Sequence, residues 1–297
     1  MAGNFELRAL QAFVRVAELG NISHAAVALG ITQSALSRTI AGLERDLGAS
    51  LFRRTGRGVQ LSESGSAILG LARNVVVSCE QIRAEASHRG SVVSGAVTLV
   101  LPPSVMRDVA AELYHEVRER HPNVTLRMLE GFSPQLEHWL SDGRADLAML
   151  SRYRKGEVGH ARVVVESQLV LVGVTPTGGK SIRFREAARL PLLLPSAPNA
   201  LRMALEHTAR RLRLTLNVVA EADSLVAQRA ILLRDACYTI LSRETMRREV
   251  ARGEFQSVPI VEPKLSRYLV LASTTQRPQS RAAREVAAIA SRLVAKR

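Results

Sequence analysis

The chain has 297 residues, 46% apolar and 23% charged, which is enough for about two globular domains with buried cores. Two cysteines exclude a disulfide-framed secreted fold, and no export signal or membrane-spanning apolar run is visible, so we expect a cytoplasmic protein. The net charge of +14 does not by itself indicate a nucleic-acid partner, because residues 1–90 hold only 10 basic against 7 acidic residues.

Three helices are predicted near the N-terminus. The first runs from Phe5 to Leu19 with one apolar stripe, and a short alanine-rich helix capped by Ser23 follows. Thr32 caps a third helix, whose core stripe consists of Leu36, Ile40, Leu43 and Leu47. A short helix, a glycine turn and a longer helix with a polar first turn are typical of a helix-turn-helix motif, which binds in the DNA major groove.

The first turn of the third helix is a candidate DNA-binding surface. Its polar residues are Thr32, Gln33, Ser34, Ser37 and Arg38. Gln33 suits a bidentate contact with adenine, Arg38 suits guanine or a phosphate, and the hydroxyl groups suit phosphates. Polar residues also occur in the first turns of many helices as solvated caps, so this turn alone leaves both interpretations open.

The segment after the third helix adds a basic β-hairpin. Arg53, Arg54 and Arg57 surround Gly56 and precede Gly58, with no acidic residue nearby. A hairpin tipped with arginine suits the phosphates or the narrow minor groove beside a helix in the major groove. This wing favours DNA contact over the solvated cap.

These N-terminal residues closely resemble the winged-helix domain of LysR-type transcriptional regulators. The resemblance is carried by Ser23, Ala25, Ala26, Leu29, the series TQSALSR, Ile40, Leu43, Glu44, Leu47, Gly48, the series LFRR, Arg57, Leu61 and Gly65. Two positions depart from the family pattern, with Ser34 where proline is common and Ser62 where threonine is common. The resemblance implies a winged helix-turn-helix domain over residues 5–62, with the motif in 22–41 and the wing in 52–61, that binds double-stranded promoter DNA.

Residues 63–90 are predicted to form a linker helix with one apolar seam. The seam repeats at heptad-like spacing through Ile68, Leu71, Val75, Cys79, Ile82 and Ala86. One helix cannot bury this seam alone, so a helix from a second copy is the economical partner. The resemblance likewise implies dimerisation through this helix, in a homodimer or a homotetramer. We assign the contact to Ile68, Leu71, Val75 and Ile82.

Residues 94–297 alternate between strand and helix patterns, which predicts a mostly parallel sheet with crossover helices. The motifs LPPSV, HPNVTL, GRADLAML, LLLPSAPNALR and YTILS resemble the effector domain of LysR-type regulators. That resemblance implies a periplasmic-binding-protein type II fold, with subdomain I in 94–166 and 268–297 and subdomain II in 167–267. The series RDAC stands before Tyr238, where the family commonly has a glycine-rich turn, so a cleft shaped by that turn is expected to differ.

Polar residues recur where strands end and helices begin in both subdomains. These residues are Pro103 and Ser104, Ser151 and Tyr153, and Ser196, Asn199 and Arg202. Ligands of open α/β sheets bind at such strand ends, where helix N-termini favour anions. Each serine alone fits a helix cap equally well, but their recurrence favours a small organic effector between the lobes, with Arg202 as countercharge to an anion.

We therefore expect a non-enzymatic, sequence-specific transcriptional regulator with no cofactor, no metal site and no catalytic residue. Its expected partners are promoter DNA, a second copy of itself, RNA polymerase and a small-molecule co-inducer of unknown identity. Two alternatives stay open at this point. One is a small-molecule-binding α/β protein or enzyme with an accessory helical domain, and the other is an architectural DNA-binding protein, which so large a second domain disfavours.

Overall fold

The N-terminal domain is a winged helix-turn-helix built around the predicted apolar stripes. The computed structural model describes residues 5–56, 58–86, 92–157, 162–175 and 177–296. The first elements are α1 (Leu7–Leu19), α2 (Ile22–Leu29), α3 (Gln33–Leu47), β1 (Phe52–Thr55), β2 (Gly58–Leu61) and the linker helix α4 (Glu63–Ala86). Leu36, Ile40 and Leu43 of α3 lie in the core at no more than 5% exposure. The predicted core stripe of α3 is therefore confirmed.

Side-chain caps fix where the two motif helices begin. Thr32 Oγ1 accepts a hydrogen bond from the Ala35 N–H at 3.2 Å, as predicted for the start of α3. The predicted cap of α2, Ser23, is wrong. Helix α2 begins one residue before Ser23, and the Asn21 side chain accepts a hydrogen bond from the His24 N–H at 3.1 Å. Asparagine caps helices as well as serine does, so the local sequence did not distinguish the two positions.

Backbone contacts hold the wing against the helices. The Glu44 carboxylate of α3 accepts a hydrogen bond from the Leu51 N–H at 2.7 Å. The Val59 N–H donates to the Gly20 carbonyl oxygen at 3.0 Å. Gly65, in the first turn of α4, packs so closely on the chain before β1 that an added Cβ would lie 2.1 Å from the Leu51 carbonyl oxygen. The wing is thereby fixed beside α3.

We expect Gly65→Ala to lower the unfolding free energy of the N-terminal domain by about 3 kcal/mol, because overpacking against rigid backbone costs this much. Urea unfolding followed by circular dichroism measures the effect. The matched control is Gly42→Ala in α3, where nothing lies within 4 Å of the added Cβ. Alanine there is expected to raise stability by up to about 1 kcal/mol, since it favours the helix. Equal unfolding midpoints for both variants would contradict the close packing at Gly65.

The second domain alternates strands and helices along the chain. Its first part contains β3 (Ser94–Leu101), α5 (Pro103–Arg120), β4 (Asn123–Glu130), α6 (Ser133–Ser141), β5 (Leu147–Arg152) and β6 (Arg162–Gly173). Its middle part contains β7 (Ile182–Arg183), α7 (Phe184–Ala187), β8 (Leu192–Leu194), α8 (Ala200–Arg211), β9 (Val218–Glu221) and α9 (Leu225–Leu232). Its last part contains β10 (Tyr238–Ser242), α10 (Arg247–Ala251), β11 (Gln256–Val261), β12 (Ser266–Ser273) and α11 (Arg281–Ala295).

The sheet of this domain is mixed, because the expected parallel pairing holds for its outer strands but not for the two strands at its centre. Its strands run in the order β4-β3-β5-β12-β6-β10-β8-β9, with β11 paired to β6 and β7 to β11. The outer strands pair in parallel, β3 with β4 and β5, and β8 with β9 and β10. The central strands β6 and β12 are antiparallel to each other and to their neighbours. The reason is that β6 carries the chain into subdomain II and β12 carries it back.

Strand β6 joins the two subdomains. Its residues 162–168 pair with β12, and its residues 169–173 pair with β10. Helices α5 and α11 cover the core of subdomain I, whereas Phe184 and Leu205 fill the core of subdomain II. A cleft between the subdomains follows from this division. Across the described ranges, no helix combines the length and the apolar character needed to cross a membrane.

Candidate functional site

The first turn of α3 forms an exposed polar surface. Thr32, Gln33, Ser34 and Arg38 are exposed, and Ser37 is half-buried. Thr32 already serves as the helix cap, and the Arg38 Nε–H donates to the Ser34 carbonyl oxygen at 3.4 Å. Gln33 forms no side-chain hydrogen bond to any other described residue. Its amide is therefore available to an outside partner such as a base edge.

The wing exposes two of its three predicted arginines to solvent. Arg53 and Arg54 are exposed on β1, and neither forms an ion pair with another residue in the described part of the chain. The wing turn closes where the Thr55 hydroxyl donates to the Gly58 carbonyl oxygen at 3.2 Å. Arg57 lies outside the described residues. Exposed guanidinium groups without carboxylate partners suit phosphate contacts.

The linker helix α4 leaves most of its predicted seam uncovered. Leu71, Val75 and Ile82 are 64%, 46% and 67% exposed. Ile68 differs, because it packs partly against the winged-helix core of its own chain. The neighbouring face of α4 packs against the winged-helix core of the same chain, where Ala72 is buried. The three exposed residues thus form an apolar strip that matches the predicted dimerisation contact at three of its four positions.

A cleft of about 630 Å³ lies between the two subdomains. It brings together five predicted effector-binding residues, which are Pro103, Ser104, Ser151, Tyr153 and Asn199. Across the described residues, no three His, Cys, Asp or Glu side chains converge as possible metal ligands.

One charged residue of this cleft, Arg267 of β12, was not predicted from the sequence. Its guanidinium lines the cleft, yet the residue is only 6% exposed. Arg267 Nη1 donates to Ser104 Oγ at 3.2 Å, whereas its Nε has no hydrogen-bond partner. No carboxylate of the described residues forms an ion pair with it. The available signal was an arginine within the otherwise apolar strand RYLVLAS, where a buried charge requires a reason.

Tyr153 adds a hydroxyl donor on the same wall. Burial raises the pKa of the Tyr153 hydroxyl above its ordinary value, and the charge of Arg267 and a hydrogen bond with Ser151 offset this only in part. The hydroxyl therefore keeps its proton at neutral pH. Arg267, Ser104 and Tyr153 together present donors to one region of the cleft.

Two predicted effector-binding residues are engaged elsewhere, so their assignment is wrong. Arg202 does not line the cleft, because its Nε and Nη1 form ion pairs with Glu206 and Glu221, each at 2.7 Å. The Ser196 hydroxyl donates to the Asp223 carboxylate at 2.6 Å, and it is Asp223 that lines the cleft. Glu206 lies one turn from Arg202 on the same helix, whereas Glu221 and Asp223 belong to the end of β9 and the residues after it, which the strand-end pattern does not describe.

The series RDAC does not shape the cleft either. It precedes Tyr238 at the start of β10, whereas the cleft is lined by Ile240, Leu241 and Ser242 from the other end of that strand. Cys237 is buried among apolar residues of subdomain II. The expectation that this departure alters the cleft is therefore wrong.

Two ion pairs connect the subdomains at the edge of the cleft. Arg107 of α5 binds the Glu249 carboxylate of α10 at 3.0 Å and also donates to the Thr245 carbonyl oxygen. Arg248 of α10 lies 3.6 Å from the Asp108 carboxylate of α5. Thr245 itself lines the cleft, so a ligand there lies directly against these interlobe contacts.

Comparison with known proteins gives matches to both domains. A model described as the bacterial regulatory helix-turn-helix protein of the lysR family matches residues 7–66. A model described as the LysR substrate binding domain matches residues 90–294. The HTH-type transcriptional regulator BbuR of Bordetella bronchiseptica is 30% identical over 84% of this chain and 78% of its own length. The nitrogen assimilation regulatory protein nac of Escherichia coli is 27% identical over 94% and 93%.

Solved structures share the fold along nearly the whole chain. A full-length OxyR variant from Pseudomonas aeruginosa superimposes with a TM-score of 0.77 at 18% identity, covering 98% of both chains. CbnR, described as a LysR family transcriptional regulator, gives a TM-score of 0.64 at 20% identity, covering 97% of this chain and 99% of its own. These two similarities support the order of domains seen here.

Proposed function

This chain belongs to the LysR family of transcriptional regulators, and we propose that its switch is a small organic anion bound between the two subdomains. The observation that carries the proposal is Arg267, a buried guanidinium without a carboxylate partner in the described residues. Buried charges in proteins are almost always paired. An anionic group of the effector supplies the missing partner.

The surroundings of Arg267 fit such a ligand. Ser104 and Tyr153 offer hydroxyl groups to the same anionic group, and Ser104 lies in the first turn of α5, where the helix dipole favours negative charge. Asp223 lines the cleft as well. Its carboxylate suits a hydroxyl or ammonium group on the ligand. The effector we propose is therefore an organic anion that also carries a hydrogen-bond donor.

Ligand binding would be transmitted through the interlobe contacts. An effector against Thr245 favours one arrangement of the Arg107–Glu249 contact, and so of one subdomain relative to the other. The protein acts on DNA in the cytoplasm as a homodimer or homotetramer, joined through the exposed strip of α4, and RNA polymerase is its further partner. No catalytic step is part of this proposal.

A thermal-shift screen of the full chain tests the effector class. The probes are mono- and dicarboxylates, with and without hydroxyl or amino groups, each paired with its uncharged amide. We expect at least one carboxylate to raise the melting temperature by several degrees while its amide does not, because ligand binding to the folded state stabilises it. Stabilisation by neutral or cationic compounds alone would overturn the proposal.

The exposed residues of α3 and the wing are expected to divide the DNA contact between them. Gln33→Ala should cost about 1–3 kcal/mol on the preferred sequence and relax discrimination at one base pair, because its amide reads a base edge. Arg53→Ala should weaken binding to all sequences and reduce the salt slope by about 1, because it contacts phosphate. Competition binding against single-base variants measures both effects. Equal loss of discrimination in the two variants would refute this division.

A further inference from the structure

A second cavity, of about 840 Å³, lies between the linker helix and subdomain I. Arg73 of α4 lines it from one side, and Arg127 of β4 and Arg144 after α6 line it from the other. We call these three residues, with the cavity between them, the arginine pocket. It is separate from the effector cleft, with which it shares no lining residue.

The arginine pocket has more positive than negative charge. Its five arginines are Arg73, Arg127, Arg144, Arg277 and Arg281, and its three carboxylates are Glu18, Glu80 and Asp146. Arg277 and Asp146 neutralise each other in a buried ion pair at 2.7 Å. Arg127 and Arg144 are exposed, and neither forms an ion pair with any residue that the structure describes. Arg144 lies instead over the Trp139 ring, with 5.2 Å between the guanidinium carbon and the ring centroid.

Arg73 is the buried member of this group, and one of its N–H donors has no hydrogen-bond partner. Its side chain is 12% exposed, and its Nε is buried without a hydrogen-bond partner. The nearest carboxylate is that of Asp142, at 3.6 Å from Nη1. Burial lowers the pKa of Arg73, and although Asp142 and Glu18 oppose this, the charges of Arg144 and Arg127 add to the lowering. The three guanidinium groups thus repel one another around an open space.

We propose that the arginine pocket binds a tetrahedral oxyanion, either free phosphate or sulfate or the phosphoryl group of a metabolite. Such an anion carries up to two negative charges and several acceptor oxygens, which match guanidinium donors arriving from two sides. Its negative charge offsets the repulsion among the three arginines. Arg73 belongs to the linker helix α4, whereas Arg127 and Arg144 belong to subdomain I. The bound anion therefore connects the linker helix to the effector domain.

The surrounding contacts give this connection a defined geometry. Arg277 Nη1 donates to Asn74 Oδ1 of α4 at 3.0 Å and to the Gly143 carbonyl oxygen at 2.7 Å. Gly143 has a φ of +72°, and an added Cβ would lie 2.1 Å from Asn74 Oδ1. The linker helix is therefore docked on the turn that precedes Arg144, which keeps both sides of the pocket in place.

Isothermal titration of the full chain with sodium phosphate and sodium sulfate, at constant ionic strength held with sodium chloride, tests the proposal. We expect binding of at least one oxyanion, weakened about tenfold or more in Arg127→Gln/Arg144→Gln, since each lost charged hydrogen bond costs more than 1 kcal/mol. Both replaced side chains are exposed, so the fold is expected to persist. The charge-matched control, Arg185→Gln/Arg189→Gln on the surface of subdomain II, should bind like the wild type.

Two further comparisons complete the experiment. One distinguishes the arginine pocket from the effector cleft, and the other distinguishes phosphate from sulfate as the ligand. Arg267→Gln should leave oxyanion binding unchanged even if it abolishes effector binding, so the two proposals fail independently. Tighter binding of phosphate than sulfate indicates a phosphoryl ligand, and the reverse indicates sulfate. No heat beyond that of the chloride control, an equal loss in both double variants, or a loss in Arg267→Gln alone would overturn the proposal.

Discussion

Leu71→Asp is expected to convert the protein into a monomer and to weaken binding to its operator by about a thousandfold. Leu71 lies in the exposed strip of α4, at 64% exposure. A carboxylate in the centre of an apolar helix–helix contact is left without a partner, and such a charge is costly to bury. Loss of the dimer separates the two recognition helices, so that each binds only one half-site.

Sedimentation velocity measures the mass, and fluorescence anisotropy measures the DNA affinity. Ser66→Asp is the matched control, because Ser66 is an exposed polar residue in the first turns of the same helix, where a negative charge is tolerated. It should keep the wild-type mass. Leu71→Met should keep it too, since it preserves the apolar contact. An oligomeric Leu71→Asp protein would show that α4 is not the dimerisation element.

Arg267→Gln is expected to weaken effector binding at least about a hundredfold while leaving the DNA affinity of the unliganded protein unchanged. The loss follows from removing a desolvated charged hydrogen bond to the anion, which is worth about 3 kcal/mol. The folded state should not be destabilised, because Arg267 forms no ion pair in the described part of the chain. Calorimetry with the carboxylate that stabilises the wild type measures the affinity.

Arg202→Gln provides the control for that experiment. Arg202 is bound to Glu206 and Glu221 and does not line the cleft, so its loss is expected to reduce stability slightly and leave effector affinity within about twofold. The sequence pattern assigns the countercharge of the anionic effector to Arg202, whereas the structure assigns it to Arg267. Comparing the two variants decides between these assignments. A large affinity loss in Arg202→Gln with none in Arg267→Gln would restore the sequence-based assignment.

Features set by local sequence were predictable. The stripe from Leu36 to Leu43 and the cap at Thr32 depend only on residues within a few turns of each other, and the structure confirms both. The winged helix-turn-helix and the two-subdomain fold were also correctly predicted, because the motifs that carry the resemblance are spread along both domains.

Features set by contacts between distant segments were not predictable. Arg202 fits an anion site by its position in α8, but Glu221 reaches it from β9 and neutralises it. Arg267 and Ser104 are 163 positions apart in sequence and meet only because β12 returns beside the start of α5. The antiparallel pairing of β6 and β12 has the same origin, since no local pattern shows where a strand re-enters a sheet.

Sequence-specific DNA binding is tested most directly by the affinity of the wild-type protein for the DNA upstream of its own gene, compared with a shuffled duplex over a salt series. We expect binding to the upstream DNA to be about a thousandfold tighter or more than to the shuffled duplex, with an affinity that falls steeply as salt increases. Equal affinity for both duplexes would contradict sequence-specific recognition at this site. Failure to bind any duplex at low salt would show that this protein is not a DNA-binding regulator.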